Sequence, residues 1–121
     1  MKSRFITLKL GVKKNETDGL LICLSDASTT ELIFTLNKFA AAPVIISKQN
    51  ITKSNPKYIF INSGNANACT GKEGITNTKR ILNLLSKRLN CNANEIVIMS
   101  TGIIGRQLPI DDIEHSIIKN T

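Results

Sequence analysis

Residues 5–10, FITLKL, alternate in polarity, with Ile6, Leu8 and Leu10 on one side and Thr7 and Lys9 on the other. That period of two predicts a half-buried strand. GVKKNETDG at 11–19 is a polar turn, and GLLICLS at 19–25 predicts a second strand whose near-continuous apolar run suggests burial on both faces. SDASTTE breaks it. LIFTL at 32–36 and APVIIS at 42–47 read as short β-branched runs separated by NKFAA, with Pro43 best placed at a strand start or edge. After the loop SKQNITKSNPK, KYIFINS at 57–63 is the next strand. The run NSGNANACTG at 62–71 terminates it, because Gly64 and the asparagines tolerate left-handed backbone.

From Gly74 to about Leu89 the period changes. Thr78, Ile81, Leu82, Leu85 and Leu89 fall three or four apart, which predicts one apolar stripe on a helix. NCNANE ends that helix, and EIVIMS at 95–100 predicts a buried strand running into the turn TGIIG. DDIEHSIIKN begins with Asp111 and Glu114 in a capping-box arrangement and places Ile113, Ile117 and Ile118 on one face. This last helix stops at Thr121 after fewer than three turns, so the pattern predicts a chain cut short. No internal repeat or low-complexity linker interrupts residues 1–121, which read as a single α/β unit.

Composition narrows the class. The chain has 121 residues, 41% apolar and 21% charged, the balance of a soluble globular protein. Nothing approaches the roughly 18 consecutive apolar residues of a membrane helix, and MKSRFITLKLG lacks the apolar core and cleavage site of a secretory signal. The expected location is the cytoplasm, with no membrane partner. Three cysteines, Cys23, Cys69 and Cys91, form no CxxC pair, and His115 is the only histidine. Neither a disulfide framework nor a metal site is indicated, and the thiols are expected reduced and partly buried.

A net charge of +7 invites a nucleic-acid reading. Against it, the lysines are scattered from Lys2 to Lys119 with one adjacent pair, Lys13 and Lys14, and aromatics are 4% with no Trp to stack on bases. No nucleic-acid partner is expected.

Candidate chemistry sits in two stretches. NSGNANACTGKEG follows a strand and precedes a helix, as a phosphate-binding loop would, but GxxxxGK[ST] ending at Lys72 would need Gly at position 66 and Ser or Thr at 73, where Ala66 and Glu73 stand. Cys69 and His115 could form a nucleophilic pair only if folding joined them. The plainer reading makes Cys69 a small packed side chain and His115 a solvated one. STGIIGRQLP at 100–109 places a hydroxyl and a glycine at the end of a buried strand, where an O–H and a backbone N–H can converge on an oxyanion, although a plain strand-ending turn has the same sequence signature.

GVKK at 11–14, IFTLNKFAAAPV at 33–44, NSGNANACTG at 62–71 and STGIIGRQLPID at 100–111, in that order and spacing, resemble the N-terminal part of the ornithine acetyltransferases, the glutamate N-acetyltransferases of arginine biosynthesis. The resemblance runs over nearly the whole chain from Phe5. It implies an α/β (α+β) fold, the N-terminal part of a four-layer αββα sandwich of the self-processing threonine acyltransferase type. It implies transfer of the acetyl group from N-acetylornithine to glutamate, and in bifunctional members also from acetyl-CoA to glutamate, through an acetyl-threonine, with no cofactor. Thr101 and Gly102 match the family's oxyanion-hole motif, and the run holding Asn62, Asn65 and Asn67 becomes a wall of the same cleft, with no catalytic role assigned to any of the three.

The family's precursor cuts itself before a threonine, and the two products pair into a heterotetramer. This chain contains no Ala-Thr dipeptide. The nucleophile, the substrate-binding residues and the C-terminal (beta) chain are therefore expected beyond Thr121, leaving the 121 residues inactive alone. A self-processing threonine peptidase or amidase, and a non-catalytic basic binding module, are the alternatives.

Overall fold

The alternating and continuous apolar runs build one four-stranded sheet. In the computed structural model, which describes residues 4–24 and 29–121, the strands are β1 (Arg4–Leu8), β2 (Gly19–Cys23), β3 (Tyr58–Asn65) and β4 (Ile96–Ile103), in that spatial order. The first three are mutually antiparallel, and β3 and β4 are parallel. A parallel neighbour needs a crossover. It is supplied by the helix between them, here called α2 (Gly71–Leu89), whose Thr78, Ile81, Leu82 and Leu85 are buried as the stripe predicted. Asn90 ends it in the left-handed conformation, its N–H donating to the Ser86 carbonyl.

The core lies between the sheet and its helices. Leu21 and Phe60 pair across β2 and β3, Phe60 pairs with Ile98 of β4, and all three pack with Ile81, Leu85 and with Ile113 and Ile117 of α3 (Ile110–Asn120). Full burial of a ring such as Phe60 contributes about 2–3 kcal/mol. The other sheet face is partly open: the rows Phe5–Ile22–Ile59–Val97 and Leu20–Ile61–Met99 lie on it, with Phe5 67% and Met99 49% exposed and Val97 buried.

Several expectations are corrected. APVIIS forms no strand but opens a helix, α1 (Ala42–Ile51), with Pro43 in its first turn, where a missing N–H costs nothing. Its buried positions are Ala42, Pro43, Ile46, Ser47 and Asn50. The two polar ones face the free edge of β4: Ser47 Oγ donates to the Ile98 carbonyl at 2.7 Å and accepts from its N–H at 3.0 Å, and Asn50 donates to the Ile96 carbonyl at 3.2 Å. LIFTL is not a strand either; residues 29–41 form no regular helix or strand and leave Ile33, Leu36 and Phe39 almost fully exposed. β2 is not buried on both faces, since Leu20 and Ile22 look onto the open side, and Ser25 lies outside the described residues.

The strands also run further than their sequence boundaries. β3 continues to Asn65, and β4 passes through Thr101 and Gly102 to Ile103, so STG belongs to the sheet rather than to a turn. α2 begins three residues earlier than expected, at Gly71. The capping box of α3 does not form. Arg80 of α2 takes Glu114 in a two-pronged bond, 2.9 and 2.8 Å, and reaches Asp111 at 3.4 Å, so both carboxylates tie α3 to α2. No helix among the described residues is long and apolar enough to cross a membrane.

Candidate functional site

The β3–β4 pair ends in a close approach of two glycines. Ser63 is opposite Thr101, and Gly64 opposite Gly102. Gly102 has φ +130°, and a Cβ there would lie 2.5 Å from the Asn65 amide nitrogen and 2.7 Å from Gly64 Cα, against backbone that cannot swing aside. The strands can approach this closely because Gly102 has no side chain.

Backbone alternation then aims the edge. Both polar groups of Ile98 face away from β3, being held by Ser47. With a period of two, the backbone of Met99 and Thr101 faces β3, and the N–H groups of Ser100 and Gly102 face the edge. α1 covers that edge at Ile96 and Ile98 and leaves it open at Gly102. The Thr101 side chain lies on the open sheet face, one pair beyond Ile61 and Met99. Thr101 and Gly102 are both exposed and line a cleft of about 840 Å³, together with Lys13, Ser63, Gly64 and Arg106. An O–H and an N–H on adjacent residues of a rigid strand, open to a cleft, can both donate to one negatively charged oxygen.

The asparagines stand behind this cleft as its frame, and only Asn65 reaches its lining. Asn62, Asn65 and Asn67 are each about 1% exposed or less. Asn62 accepts from Ser100 Oγ at 2.5 Å and donates to the Asn65 carbonyl at 2.9 Å. Asn65 donates to the carbonyls of Arg106 and Gln107 and accepts from the Asn67 N–H at 2.8 Å. Asn67, at φ +49°, donates to Thr78 Oγ1 and accepts from Thr70 Oγ1, pinning the loop to α2. Buried amides in a fully bonded network fix one geometry, since breaking any bond strands a partner at about 1–3 kcal/mol. The run is thus a scaffold for the β3–β4 terminus.

A second frame was invisible in the polar turn. Asp18 is 2% exposed, and its carboxylate accepts from the Leu10 N–H at 2.6 Å and the Lys13 N–H at 2.8 Å, while its carbonyl accepts from the Ser63 N–H at 2.8 Å. One acid folds residues 10–18 down onto the end of β3. The only sequence signal was a lone Asp at the head of a strand in a lysine-rich turn.

Cys69 is exposed at φ +58°, not packed, and His115 is exposed on α3. His115 does not line the cleft of Thr101, and neither does Cys69. All three cysteines are free, and no group of metal-binding side chains occurs among the described residues. The perturbed titrating pair lies at the other end of β4, about 20 Å from Thr101 by strand rise. There Lys57 Nζ sits 2.6 Å from Glu95, and this hydrogen-bonded contact holds the Glu95 carboxyl below its ordinary range and raises the lysine.

A model of the ArgJ family matches residues 4–121. The chain is 44% identical over 102 residues to the arginine biosynthesis bifunctional protein ArgJ 2 of Clostridium acetobutylicum, covering 84% of this chain and 26% of that protein. It is 41% identical over 110 residues to the corresponding ArgJ protein of Nitratidesulfovibrio vulgaris, covering 89% and 28%. The crystal structure of ornithine acetyltransferase from Mycobacterium tuberculosis, complexed with ornithine, superposes with a TM-score of 0.90 at 29% identity over 97% of this chain and 64% of that one. For the ArgJ structure from Bacillus halodurans the TM-score is 0.88 at 29% identity, over 95% and 61%. The chain spans about a quarter of the length of the curated relatives it matches.

Proposed function

The chain belongs to the ArgJ family, and from that premise we propose that it forms the N-terminal part of an arginine-biosynthesis acetyltransferase and supplies its oxyanion hole. The observation that carries the reading is the open edge of β4, where Thr101 O–H and Gly102 N–H share one cleft. A hydroxyl nucleophile adds to the acetyl carbonyl of N-acetylornithine, the carbonyl oxygen becomes negative, and these two donors hold it while the ornithine amine leaves. The glutamate amine then takes the acetyl group from the resulting ester. In the bifunctional variant acetyl-CoA replaces N-acetylornithine as donor, and no cofactor enters.

The nucleophile is a threonine freed by self-cleavage on a C-terminal (beta) chain, and two copies of the cut pair assemble as a heterotetramer in the cytoplasm. One feature supports a partner chain. The open sheet face and the side chains of Ile33, Leu36 and Phe39 present apolar surface of the kind that solvent-facing proteins cover. The second sheet of a four-layer αββα sandwich would lie on that open face.

The test is transfer of a labelled acetyl group from N-acetylornithine to glutamate. The full-length protein is expected to produce labelled N-acetylglutamate, and the 121-residue chain alone to produce none and to self-associate. Turnover by the isolated chain would overturn the division of labour. Hydrolysis of peptides or amides without transfer to glutamate would point to a threonine peptidase or amidase instead.

A further inference from the structure

We propose that Ser63 is a positioning residue of the oxyanion hole: its hydroxyl donates to Thr101 Oγ1 and so commits the single Thr101 proton to the substrate's carbonyl oxygen. The proposal rests on the acetyl-transfer reading above and adds to it a residue that acts through Thr101.

Three observations place Ser63 for this role. In the parallel ladder it is the direct partner of Thr101, and paired residues of neighbouring strands project from the same face of a sheet. That face is the open one, because Ile61 and Met99, two residues earlier on each strand, lie on it. The Ser63 backbone is also held. Its N–H donates to the Asp18 carbonyl at 2.8 Å, and the Asn62 amide reaches past it to the Asn65 carbonyl at 2.9 Å. Finally, Ser63 is half-buried and lines the same cleft as Thr101, and neither hydroxyl bonds to another of the described residues.

The chemistry of the cleft sets the direction of the bond. A hydroxyl carries one proton and rotates to suit its surroundings. Lys13 and Arg106, the charged side chains of the lining, can only donate, and no carboxylate among the described residues lines the cleft. The acceptor that the ladder sets beside the Ser63 proton is thus Thr101 Oγ1. Neighbouring strands lie about 4.8 Å apart. A Cβ–Oγ bond leaning in from each side closes that gap to the roughly 2.7–2.8 Å of an O–H···O bond, a pairing that serine and threonine make across strands. With one Thr101 lone pair occupied in this way, its own proton is turned outward. The two bonds then run in one chain, from Ser63 to Thr101 to the oxyanion, and each polarises the next. The chain tightens when the carbonyl is attacked, and a donor already aimed stabilises the new charge better than one that must first turn.

The test is a double-mutant cycle in the full-length protein, read as labelled acetyl transfer from N-acetylornithine to glutamate. Ser63→Ala removes the hydroxyl and keeps the N–H bond to Asp18, so the melting temperature should move by no more than about 2 °C. Loss of one hydrogen bond predicts a kcat about three- to tenfold lower, with KM within about twofold. Ser63→Thr, which restores a hydroxyl, should return kcat to within about twofold of wild type. In a Thr101→Ala background, Ser63→Ala is expected to change nothing further, because its target is gone. An unchanged kcat for Ser63→Ala, or the same loss with and without Thr101, overturns the role of Ser63 and leaves acetyl transfer intact. A wild-type protein that transfers no acetyl group, or a Thr101→Ala variant at full rate, overturns the underlying reading together with this one.

Discussion

Gly102→Ala is expected to lower acetyl transfer by the full-length protein at least about a thousandfold and to destabilise it by about 3 kcal/mol or more. The cause is local and severe. At φ +130° an alanine is strained before any neighbour is considered, and its Cβ would sit 2.5 Å from the Asn65 amide nitrogen. The neighbours are backbone, not side chains, so relief requires β3 and β4 to part. Parting them also pulls on Asn65, whose amide holds the Arg106 and Gln107 carbonyls and whose carbonyl accepts from Asn62. Thermal unfolding and steady-state rates check this together. A variant with the wild-type melting temperature would mean that the two strands do not approach as closely as the geometry states.

Thr101→Ala is expected to act on the chemistry alone. The side chain is exposed and makes no hydrogen bond within the described chain, so its removal should shift the melting temperature by no more than about 2 °C. Loss of one oxyanion donor predicts a fall in kcat of about a hundredfold to a thousandfold. Because the negative charge exists only once the carbonyl has been attacked, KM should stay within about threefold, and Thr101→Ser should recover most of the rate. A kcat for Thr101→Ala within threefold of wild type would remove Thr101 from the mechanism.

The placement of these two residues was legible in part. STG stands at the end of an apolar run that reads as a strand, and a hydroxyl beside a glycine there can offer a donor pair, although a strand-ending turn is the plainer reading until the family resemblance is weighed. The sequence does not say that the strand continues through them, because glycine and exposed residues end an apolar pattern while the ladder to Ser63 and Gly64 goes on. α2 was legible because Ile81, Leu82 and Leu85, with Thr78, recur three or four apart along its buried face. α1 was not, because Ser47 and Asn50 occupy two of its five buried positions in order to bond the β4 edge, which leaves a β-branched run with no helical period. The role of Asp18 was hidden for a related reason. It sits in a polar turn whose long-range partner, the Ser63 N–H, is more than forty residues away, and no local pattern reports such a contact.

The most distinctive stretch, NSGNANACTG, is largely structural: its three amides are satisfied internally, and only Asn65 touches the cleft. It holds the end of β3 and the start of α2 in one arrangement, beside the cleft that Thr101 and Gly102 line.

The measurement that bears most directly on the account is the intact mass of each chain of the full-length protein after mixing with N-acetylornithine in the absence of glutamate. One acetyl group on a chain that begins with threonine, none on the chain carrying residues 1–121, and release of one ornithine per acetyl are the predicted result. An acetyl group on residues 1–121, at Cys69 or elsewhere, would make this chain the carrier of the nucleophile and contradict its assignment as the oxyanion-hole half.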